Sequence, residues 1–410
     1  MQILRQTNLE ALDKARNIGA DAVLELLEKK GLEGRGGAAY STAKKWKRCK
    51  NAPADERFVI CNADEGEPGT FKDKFIMKYN AETMIEGMLI CAHVIGAKKC
   101  YIYLRGEYEY LRKRLMQQID DVIARSKMDV SIEIVRGAGA YVCGERTALV
   151  QSIMGFRGNP QYSPPNITEC GLWGKPTVVN NVETLTCAAQ AVLFDDWNSN
   201  LRLFSISGNV SNPGVYELPL GVKMSTIIDI ARPKKKLKAL SFGCFGGIMP
   251  VDPNMEVTPE TINMEECQHG AFSAILIDET NNVVDIALSI AKFYAYESCG
   301  KCTPCREGTI RMLDYLKRVK SGEAEKKELE TMRELALHVQ ATSLCGLGQS
   351  SGNHIITSLL HFPEDYEYYI NKGKAGTGAP DKTAKPAQAE GNALENAAKP
   401  RKSRKVAKKE

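Results

Sequence analysis

The sequence predicts an α/β protein built from three successive parts, and three observations support this fold class. Over the first half of the chain, short strand-like runs alternate with helical runs, which indicates a largely parallel sheet covered by helices. From Leu201 the pattern changes to a strand–turn–strand hairpin. Beyond residue 281 it is helical and surrounds closely spaced cysteines. We therefore expect a Rossmann-like nucleotide-binding domain at 1–198, a ubiquitin-like β-grasp domain at 199–280 and a helical bundle at 281–370.

Length and composition limit the class of protein. The chain has 410 residues, enough for two or three domains, and 13 cysteines without an N-terminal hydrophobic signal. Most of the cysteines stand singly, so we expect free thiols in a reducing, cytoplasmic compartment. No apolar run reaches the roughly 18 residues that span a bilayer, which predicts a soluble chain without a transmembrane segment.

The positive charge is concentrated at the end of the chain. The formal net charge is +5, but residues 371–410 hold 11 Lys+Arg against 4 Asp+Glu, a net charge of +7 that leaves −2 for the rest. This tail has few large apolar residues, so we expect it to be disordered. The folded part gives no reason to expect a nucleic-acid partner.

The first predicted ligand segment is a glycine-rich loop. Two helices are expected within Leu9–Lys30, and they are followed by GLEGRGGAAYSTAKKW at Gly31–Trp46. Its closely spaced glycines let the backbone approach a ligand, and free amide groups there can bind phosphate oxygens. A flexible loop without a ligand is the alternative interpretation.

Polar residues then follow a predicted strand at Arg57–Cys61, in the sequence NADEGEPGTF at Asn62–Phe71. The carboxyl end of a strand in an open α/β sheet is the usual ligand crevice, although a solvated acidic turn has the same composition. The next elements are predicted in the order helix Ala81–Ile95, strand Lys98–Leu104, helix Glu107–Arg125 and strand Val130–Val135.

Two further segments offer ligand contacts. After the strand at Val130–Val135, a small-residue turn leads into a helix expected to begin at about Gly144, which predicts an anion site at the helix N-terminus. Downstream, Asn180, Asn181 and Thr184 supply amide and hydroxyl groups suited to a heteroaromatic ring or a sugar chain. These three could instead cap a helix.

The second part of the chain begins with a hairpin whose turn contains Pro213 and Gly214. Ser225 is expected to cap a short helix ending at Ala231, and a strand at Ala274–Asp278 closes the unit. We find no catalytic group in this part and expect it to act as a spacer or a docking module.

The third part holds the strongest chemical signal. Cys299, Cys302 and Cys305 are spaced C-x2-C-x2-C, and Cys345 is the best candidate for a fourth ligand. Four thiolates suit a [4Fe–4S] cluster or tetrahedral zinc, but structural zinc usually takes two separate C-x2-C pairs. Buried free thiols are the remaining alternative. The surrounding helices are predicted at Val284–Tyr296, Arg306–Ser321, Glu325–Gln340 and Gly352–Leu360.

Taken in order, these motifs resemble those of the NADH-binding flavoprotein subunit of respiratory complex I. The related diaphorase subunits of soluble NAD(P)-linked hydrogenases and formate dehydrogenases share them. The resemblance covers about Leu9–Tyr369 and rests on GRGGAAY, NADEGEPGTFKD, YLRGEY, GAGAYVCGE, VNNVET, ESCGKCTPCR and LCGLG. It implies an NAD(P)H dehydrogenase of the diaphorase type, with FMN, NAD(H) or NADP(H), and one [4Fe–4S] cluster. Nicotinamide would give a hydride to FMN, and single electrons would then pass to the cluster.

The resemblance also implies positions for the cofactors. Glu67 and Glu65 would lie near the site of hydride transfer, and no obligatory general base is expected. Cofactor binding is implied at Gly34, Arg35, Gly36, Gly37, Tyr40, Lys45, Asn62, Asp64, Glu65, Glu67, Tyr141, Gly144, Glu145, Arg146, Val179, Asn180, Asn181 and Thr184. The cluster ligands would be Cys299, Cys302, Cys305 and Cys345.

The dinucleotide side departs from the family pattern. Arg146 replaces a second glutamate after Glu145, and Ser163 and Asn166 replace a lysine and a phenylalanine. Two hypotheses follow: Arg146 receives the 2′-phosphate of NADPH, or dinucleotide binding has been lost and the chain relays electrons between proteins. Because one cluster has no terminal acceptor, we expect two kinds of partner. These are a small thioredoxin-like [2Fe–2S] subunit and a larger iron–sulfur subunit of the hydrogenase, formate dehydrogenase or complex I type.

Overall fold

A computed structural model of the chain describes residues 1–376, so residues 377–410 of the predicted tail lie outside the described part. The last helix runs to Gly376 and therefore includes the first residues of that predicted tail. Within residues 1–376, no helix combines the length and the apolar composition that crossing a bilayer requires.

The first part contains a four-stranded parallel sheet flanked by helices. Its strand order is β3-β2-β1-β4, so the chain changes direction across the sheet between β1 and β4. The elements are α1 Glu10–Ile18, α2 Ala20–Lys29, α3 Thr42–Asn51, β1 Phe58–Ala63, α4 Lys72–Tyr79, α5 Ala81–Ile95, β2 Lys99–Leu104, α6 Glu109–Ser126, β3 Ser131–Arg136, α7 Arg146–Ile153, β4 Thr177–Asn181 and α8 Val182–Leu193.

Strand β1 shows why this sheet is covered on both faces. Val59 and Cys61 pack into a core with α5 and α8, whereas Phe58 and Ile60 belong to a second core on the opposite face. A strand that is buried on both faces has a continuous apolar sequence, such as FVIC here. The second core also contains Tyr294, Cys305 and Leu347 from the third part, and thus joins the sheet to the cysteine segment.

The second part forms a five-stranded mixed sheet. Its order is β6-β5-β11-β8-β9, and the central pair β5–β11 is parallel. The elements are β5 Leu201–Gly208, β6 Gly214–Pro219, β7 Val222–Lys223, α9 Met224–Ala231, β8 Leu237–Phe242, β9 Met249–Pro250, β10 Glu256–Val257, α10 Pro259–Met264 and β11 Ser273–Asp278. The predicted Ser225 cap is wrong, because α9 already begins at Met224 after Lys223, and the Ser225 N–H donates to the carbonyl of Pro253.

The third part is helical. Leu316, Val339, Ile355 and Tyr366 are fully buried in a core that also includes Ala239, Ile248 and Ile277 of the second part. The helices are α11 Val283–Glu297, α12 Thr303–Ser321, α13 Lys326–Thr342, α14 Gly346–Ser350, α15 Asn353–His361 and α16 Pro363–Gly376.

Candidate functional site

The polar segments predicted as ligand contacts meet at the carboxyl edge of the first sheet. Asn62 ends β1, and Asn181 ends the neighbouring strand β4. The glycine-rich loop packs on this edge, because the Arg35 N–H donates to Thr184 Oγ1 at 2.9 Å. A bond from the Gly34 N–H to the Tyr40 carbonyl, also 2.9 Å long, closes the loop.

Three adjoining cavities lie here, with volumes of about 640, 470 and 390 Å³, which we call the main, side and rear cavities. Of the predicted cofactor contacts, the main cavity is lined by Gly36, Gly37, Asn62, Asp64, Glu65, Glu67, Tyr141, Gly144, Glu145 and Asn181. The side cavity is lined by Gly34, Gly36, Tyr40, Lys45, Asn62, Gly144, Glu145, Arg146, Val179, Asn180, Asn181 and Thr184. Arg35 lines the rear cavity, together with Gly34 and Gly37.

The side cavity carries the positive charge of the site. Lys45 Nζ donates to the carbonyl of Val179 at 3.0 Å, while burial, and secondarily the nearby Arg146, lower the pKa of Lys45 to about 8. Asn180 is held from behind by Trp46 Nε1, which donates to its Oδ1 at 2.9 Å. Two basic side chains beside a glycine-rich backbone suit the phosphate of a nucleotide.

The main cavity is acidic. Burial raises the pKa of Asp64 to about 7, and its buried Oδ2 has no hydrogen-bond partner among residues 1–376. Burial likewise raises the pKa of Glu67 to about 7, and a carboxylate oxygen of Glu67 accepts the Phe245 N–H at 3.4 Å. An unpartnered buried oxygen facing a cavity indicates that a ligand or water completes the site.

The Glu65 carboxylate is engaged in hydrogen bonds that stabilise the local fold. Its carboxylate accepts the N–H groups of Asp73 at 2.8 Å and Lys74 at 3.1 Å, in the first turn of α4. The Tyr108 hydroxyl donates to it at 2.9 Å. Burial, and then the Asp73 charge, raise the pKa of Glu65 to about 7.

Sequence reasoning missed a buried ion network beside Glu65. Lys72 lies 2.7 Å from Asp73 and 3.0 Å from Glu183, and it donates to Asn181 Oδ1 at 3.2 Å. Burial alone would lower the pKa of Lys72, but the two carboxylates hold it above its ordinary value. The available signal was that all three charged residues lie within the motifs NADEGEPGTFKD and VNNVET.

The helix that was predicted to begin at about Gly144 begins two residues later. Residues Tyr141–Gly144 form a 3₁₀ turn, and α7 begins at Arg146. The Glu145 carboxylate accepts the N–H groups of Thr147 and Ala148, both at 3.0 Å, so the protein supplies its own anion there. Arg146 is exposed at this helix start and faces the side cavity.

The segment in which Ser163 and Asn166 replace family residues contributes less to the cavity walls than the segments described above. Asn166 lines the side cavity, but its Oδ1 also accepts the Thr168 N–H at 3.2 Å, which holds a local turn. Ser163 is exposed to solvent.

The second part contributes to the cavity wall, in addition to the spacer or docking role predicted for it. Phe245 follows β8, and Gln268, His269 and Gly270 precede β11; all four line the main cavity. No sequence motif marks these residues, because their approach to the first sheet is non-local.

The four predicted cluster cysteines converge. Cys299, Cys302, Cys305 and Cys345 line one small cavity, and all 13 cysteines of the chain are free thiols. Cys302 and Cys345 directly precede α12 and α14. The N–H groups of Leu347 and Gly348 favour the Cys345 thiolate, but burial is the larger effect and raises the pKa of this thiol. In the described chain, no group of three or more His, Cys, Asp or Glu is arranged to hold a single metal ion.

The two ligand sites share a wall. Val142, Cys345 and Leu347 line both the main cavity and the cavity of the thiols. A cleft of nucleotide size at a parallel sheet edge, adjoining four convergent thiols, defines the class: a nucleotide-binding iron–sulfur oxidoreductase subunit.

Comparison with known proteins gives the family. Residues 27–190 match the Nuo51 FMN-binding domain, and residues 285–369 match the NADH-ubiquinone oxidoreductase-F iron-sulfur binding region. The NADH-quinone oxidoreductase F subunit of Aquifex aeolicus is 38% identical over 397 residues, which cover 90% of this chain and 91% of that protein. The chain therefore belongs to the family of NADH-quinone oxidoreductase F subunits and related hydrogenase subunits, which confirms the resemblance read from the motifs.

Relatives of the hydrogenase type are similarly close. The NADP-reducing hydrogenase subunit HndC of Solidesulfovibrio fructosivorans is 34% identical, with 89% of this chain and 79% of that protein covered. A chain of an NAD+-reducing [NiFe]-hydrogenase in its H2-reduced state has a TM-score of 0.82 at 35% identity, covering 93% of this chain and 71% of that chain.

The residues present fit both cofactors of the family. The side and main cavities have volumes in the range of about 300–1,000 Å³ that small-ligand sites occupy. A Cβ at Gly144 would lie 3.2 Å from the Asp64 carbonyl oxygen, so this part of the wall is tightly packed around a glycine. The chain thus carries an FMN-binding domain and a region with four thiols for a [4Fe–4S] cluster.

Proposed function

We propose that this chain is the flavin and iron–sulfur subunit of a multi-subunit oxidoreductase. It exchanges a hydride between NAD(P)H and FMN, and single electrons with a [4Fe–4S] cluster and partner iron–sulfur subunits. The observation that carries this proposal is the common wall of Val142, Cys345 and Leu347 between the nucleotide cleft and the thiols. That wall brings a ligand in the cleft next to one of the cluster ligands.

In this function the side chains bind and orient. FMN, when bound, converts the two-electron chemistry of nicotinamide into single-electron steps. Lys45 attracts phosphate in the side cavity, and the protein fixes Asn181 at the cavity edge, because its Nδ2 donates to Asp73 Oδ2 at 2.5 Å and its Oδ1 accepts the Glu183 N–H at 3.0 Å. Lys72 holds Asn181 in place from the protein interior. Glu67 lines the main cavity and is the acid that we assign to the site of hydride transfer, since Glu65 is engaged by α4 and by Tyr108.

The choice of dinucleotide rests on Arg146. Its exposed guanidinium at the side cavity supports NADPH, because a charge-assisted hydrogen bond contributes about 1.5–3 kcal/mol, or about ten- to a hundredfold in affinity. Loss of dinucleotide binding, the alternative raised by the sequence, has no support from the relatives, whose names include NADH-quinone oxidoreductase and NADP-reducing hydrogenase.

The test is an anaerobic titration of the purified complex with NADH and with NADPH, followed by flavin bleaching. We expect bleaching by at least one of them. An Arg146→Glu variant should shift preference from NADPH toward NADH, with Arg136→Glu, at the exposed end of β3, as the matched charge control. Failure of both dinucleotides to bleach a flavin-loaded wild type would overturn the dehydrogenase function.

The proposal also includes the domain boundaries, the partners and the cellular location of the chain. The chain divides into an FMN- and NAD(P)-binding domain at 1–198, a β-grasp domain at 199–280 and a [4Fe–4S] bundle at 281–370, followed by the basic tail at 371–410. The parallel central pair β5–β11 of the second sheet supports the β-grasp assignment. The partners are a small thioredoxin-like [2Fe–2S] subunit and a larger iron–sulfur subunit, in the cytoplasm, where reduced thiols persist.

A further inference from the structure

The loop Gly243–Ile248, between β8 and β9, lies outside both regions that match the family but reaches the functional site. The Phe245 side chain lines the main cavity. Its ring centroid lies 5.5 Å from that of Tyr141 in the first part and 6.1 Å from that of Tyr294 in α11. One residue of the second sheet thus contacts the other two parts of the protein.

The backbone of this loop is anchored on two sides. The Phe245 N–H donates to Glu67 in the main cavity at 3.4 Å, while the Phe245 carbonyl accepts from Asn353 Nδ2 at 2.6 Å. The Ile248 N–H donates to Thr357 Oγ1 at 2.8 Å. Because Asn353 and Thr357 both lie in α15, the loop connects the cavity wall to the bundle.

Glycines show how closely the loop fits. A Cβ at Gly243, where φ is +69°, would overlap the Glu67 carboxylate and lie 2.8 Å from Ser273 Oγ. A Cβ at Gly247, where φ is +80°, would lie 2.8 Å from Thr357 Oγ1. No other residue fits at these positions without displacing a neighbour.

The aromatic neighbours of Phe245 lead to the cysteine segment. The Tyr294 hydroxyl lies 2.9 Å from Ser350 Oγ and donates to the Cys244 carbonyl at 3.3 Å. Ser350 ends the short helix α14, which directly follows Cys345. On the cavity side, the Tyr141 N–H donates to Glu297 Oε2 at 2.9 Å, two residues before Cys299.

We propose that Phe245 is a positioning residue that holds the flavin cleft and the Cys345 segment at a fixed separation. It touches the cleft wall through Tyr141 and Glu67, and the cysteine segment through Tyr294 and Asn353. This inference rests on the proposed function, and it gives the second sheet a role in electron transfer that neither family region assigns. Phe245 acts through its neighbours, so it is not itself a catalytic residue.

The test separates the two half-reactions in the full chain loaded with FMN and cluster under anaerobic conditions. Phe245→Ala is compared with Phe245→Tyr, which keeps the ring, and with Phe204→Ala, a buried phenylalanine of the second-sheet core that lines none of the three cavities. Stopped-flow absorbance follows flavin bleaching by the preferred dinucleotide. Rapid-freeze EPR follows reduction of the cluster.

In Phe245→Ala we expect cluster reduction to slow at least about tenfold more than flavin bleaching does, because the Cys345 segment shifts relative to the cleft and a misplacement of about 1 Å can cost up to a hundredfold. Phe245→Tyr should restore cluster reduction, and Phe204→Ala should leave both rates unchanged. Hydrogen exchange of the apo full chain should rise at residues 345–350 in Phe245→Ala alone.

Each contrary outcome is distinguishable. Wild-type rates for both steps in a folded Phe245→Ala variant overturn the positioning role, as does an equal loss of both rates. If Phe204→Ala slows cluster reduction by the same factor, the effect is one of general destabilisation, and the positioning role of Phe245 is again overturned. If the wild type itself shows no bleaching, the proposed function fails, independently of Phe245.

Discussion

At the scale of single residues, the site contains charged side chains that are buried in the protein interior. The Lys72 side chain is 2% exposed, and those of its partners Asp73 and Glu183 are each 4% exposed. A buried pair contributes modest net stability, but removing one member leaves an uncompensated charge. Lys72 therefore lines the main cavity itself and also holds Asn181 and the start of α4, although almost none of its side chain reaches solvent.

Replacing Lys72 by methionine should lower the free energy of unfolding by about 3–5 kcal/mol, because two buried carboxylates lose their counter-ion. Urea denaturation of the apo full chain, followed by circular dichroism, measures this change. Lys78→Met is the control, since Lys78 lies exposed on the same helix and should cost no more than about 0.5 kcal/mol. Equal losses in the two variants would contradict the role given to the network.

Asp64 should make stability depend on pH. Its pKa is about 7 in the folded chain, against 3.8 for an unperturbed carboxyl, so between these values the folded state holds a proton that the unfolded state has released. The contribution of Asp64 to stability therefore falls as the pH rises from about 4 to about 7, by about 1.4 kcal/mol for each pKa unit of separation.

An Asp64→Asn variant lacks this titration. Relative to the wild type, it should gain stability between pH 5 and pH 8, as measured by urea unfolding of the apo chain at the two values. A stability difference that is the same at both pH values would show that Asp64 does not carry the raised pKa.

At the scale of elements, hydrophobic period and turn residues predicted most strands and helices to within a few residues, because local patterning decides them. Asn62 could be predicted because it follows a strand of an α/β sheet, where the carboxyl end forms the ligand crevice. The strand that ends at Asn181 was not predicted, and Asn181 caps α8, which is the alternative that the sequence left open. Phe245 and His269 could not be predicted, since they reach the cleft through contacts distant in sequence. The start of α7 was misjudged because a 3₁₀ turn replaces its expected first turn.

Cys345 offers a test at this scale, because it precedes α14 and lines two cavities. Cys345→Ser should abolish the EPR signal of the cluster while FMN content and flavin bleaching persist, since serine keeps the size of this part of the cavity wall and the other residues that line the main cavity are unchanged. Metal analysis and flavin quantification measure the two losses separately. Cys170→Ser, at an exposed thiol, is the control. Loss of FMN together with the cluster would contradict two separable sites.

At the scale of the whole molecule, the parts share a core. Phe58 of β1, Cys244 of the second sheet, and Tyr294 and Leu347 of the bundle pack in one apolar cluster. Segments that share a buried core tend to unfold together, whatever their boundaries in the sequence. Three parts recognisable in the sequence therefore need not unfold separately.

We expect one calorimetric unfolding transition for the apo full chain, because exposing this common core destabilises every part that contributes to it. Differential scanning calorimetry, with the calorimetric and van't Hoff enthalpies compared, tests this expectation. Two resolved transitions, or a calorimetric enthalpy well above the van't Hoff value, would mean that the parts unfold independently.

The position of Cys345 on a wall common to two cavities has a chemical consequence. A small alkylating reagent can approach this thiol through the larger, open cleft, so a molecule lodged there acts as a shield. In cluster-free protein, FMN should therefore slow labelling of Cys345 by iodoacetamide, while Cys170, at the surface, reacts at an unchanged rate. FMN would then protect the Cys345 sulfur from alkylation before the cluster is assembled.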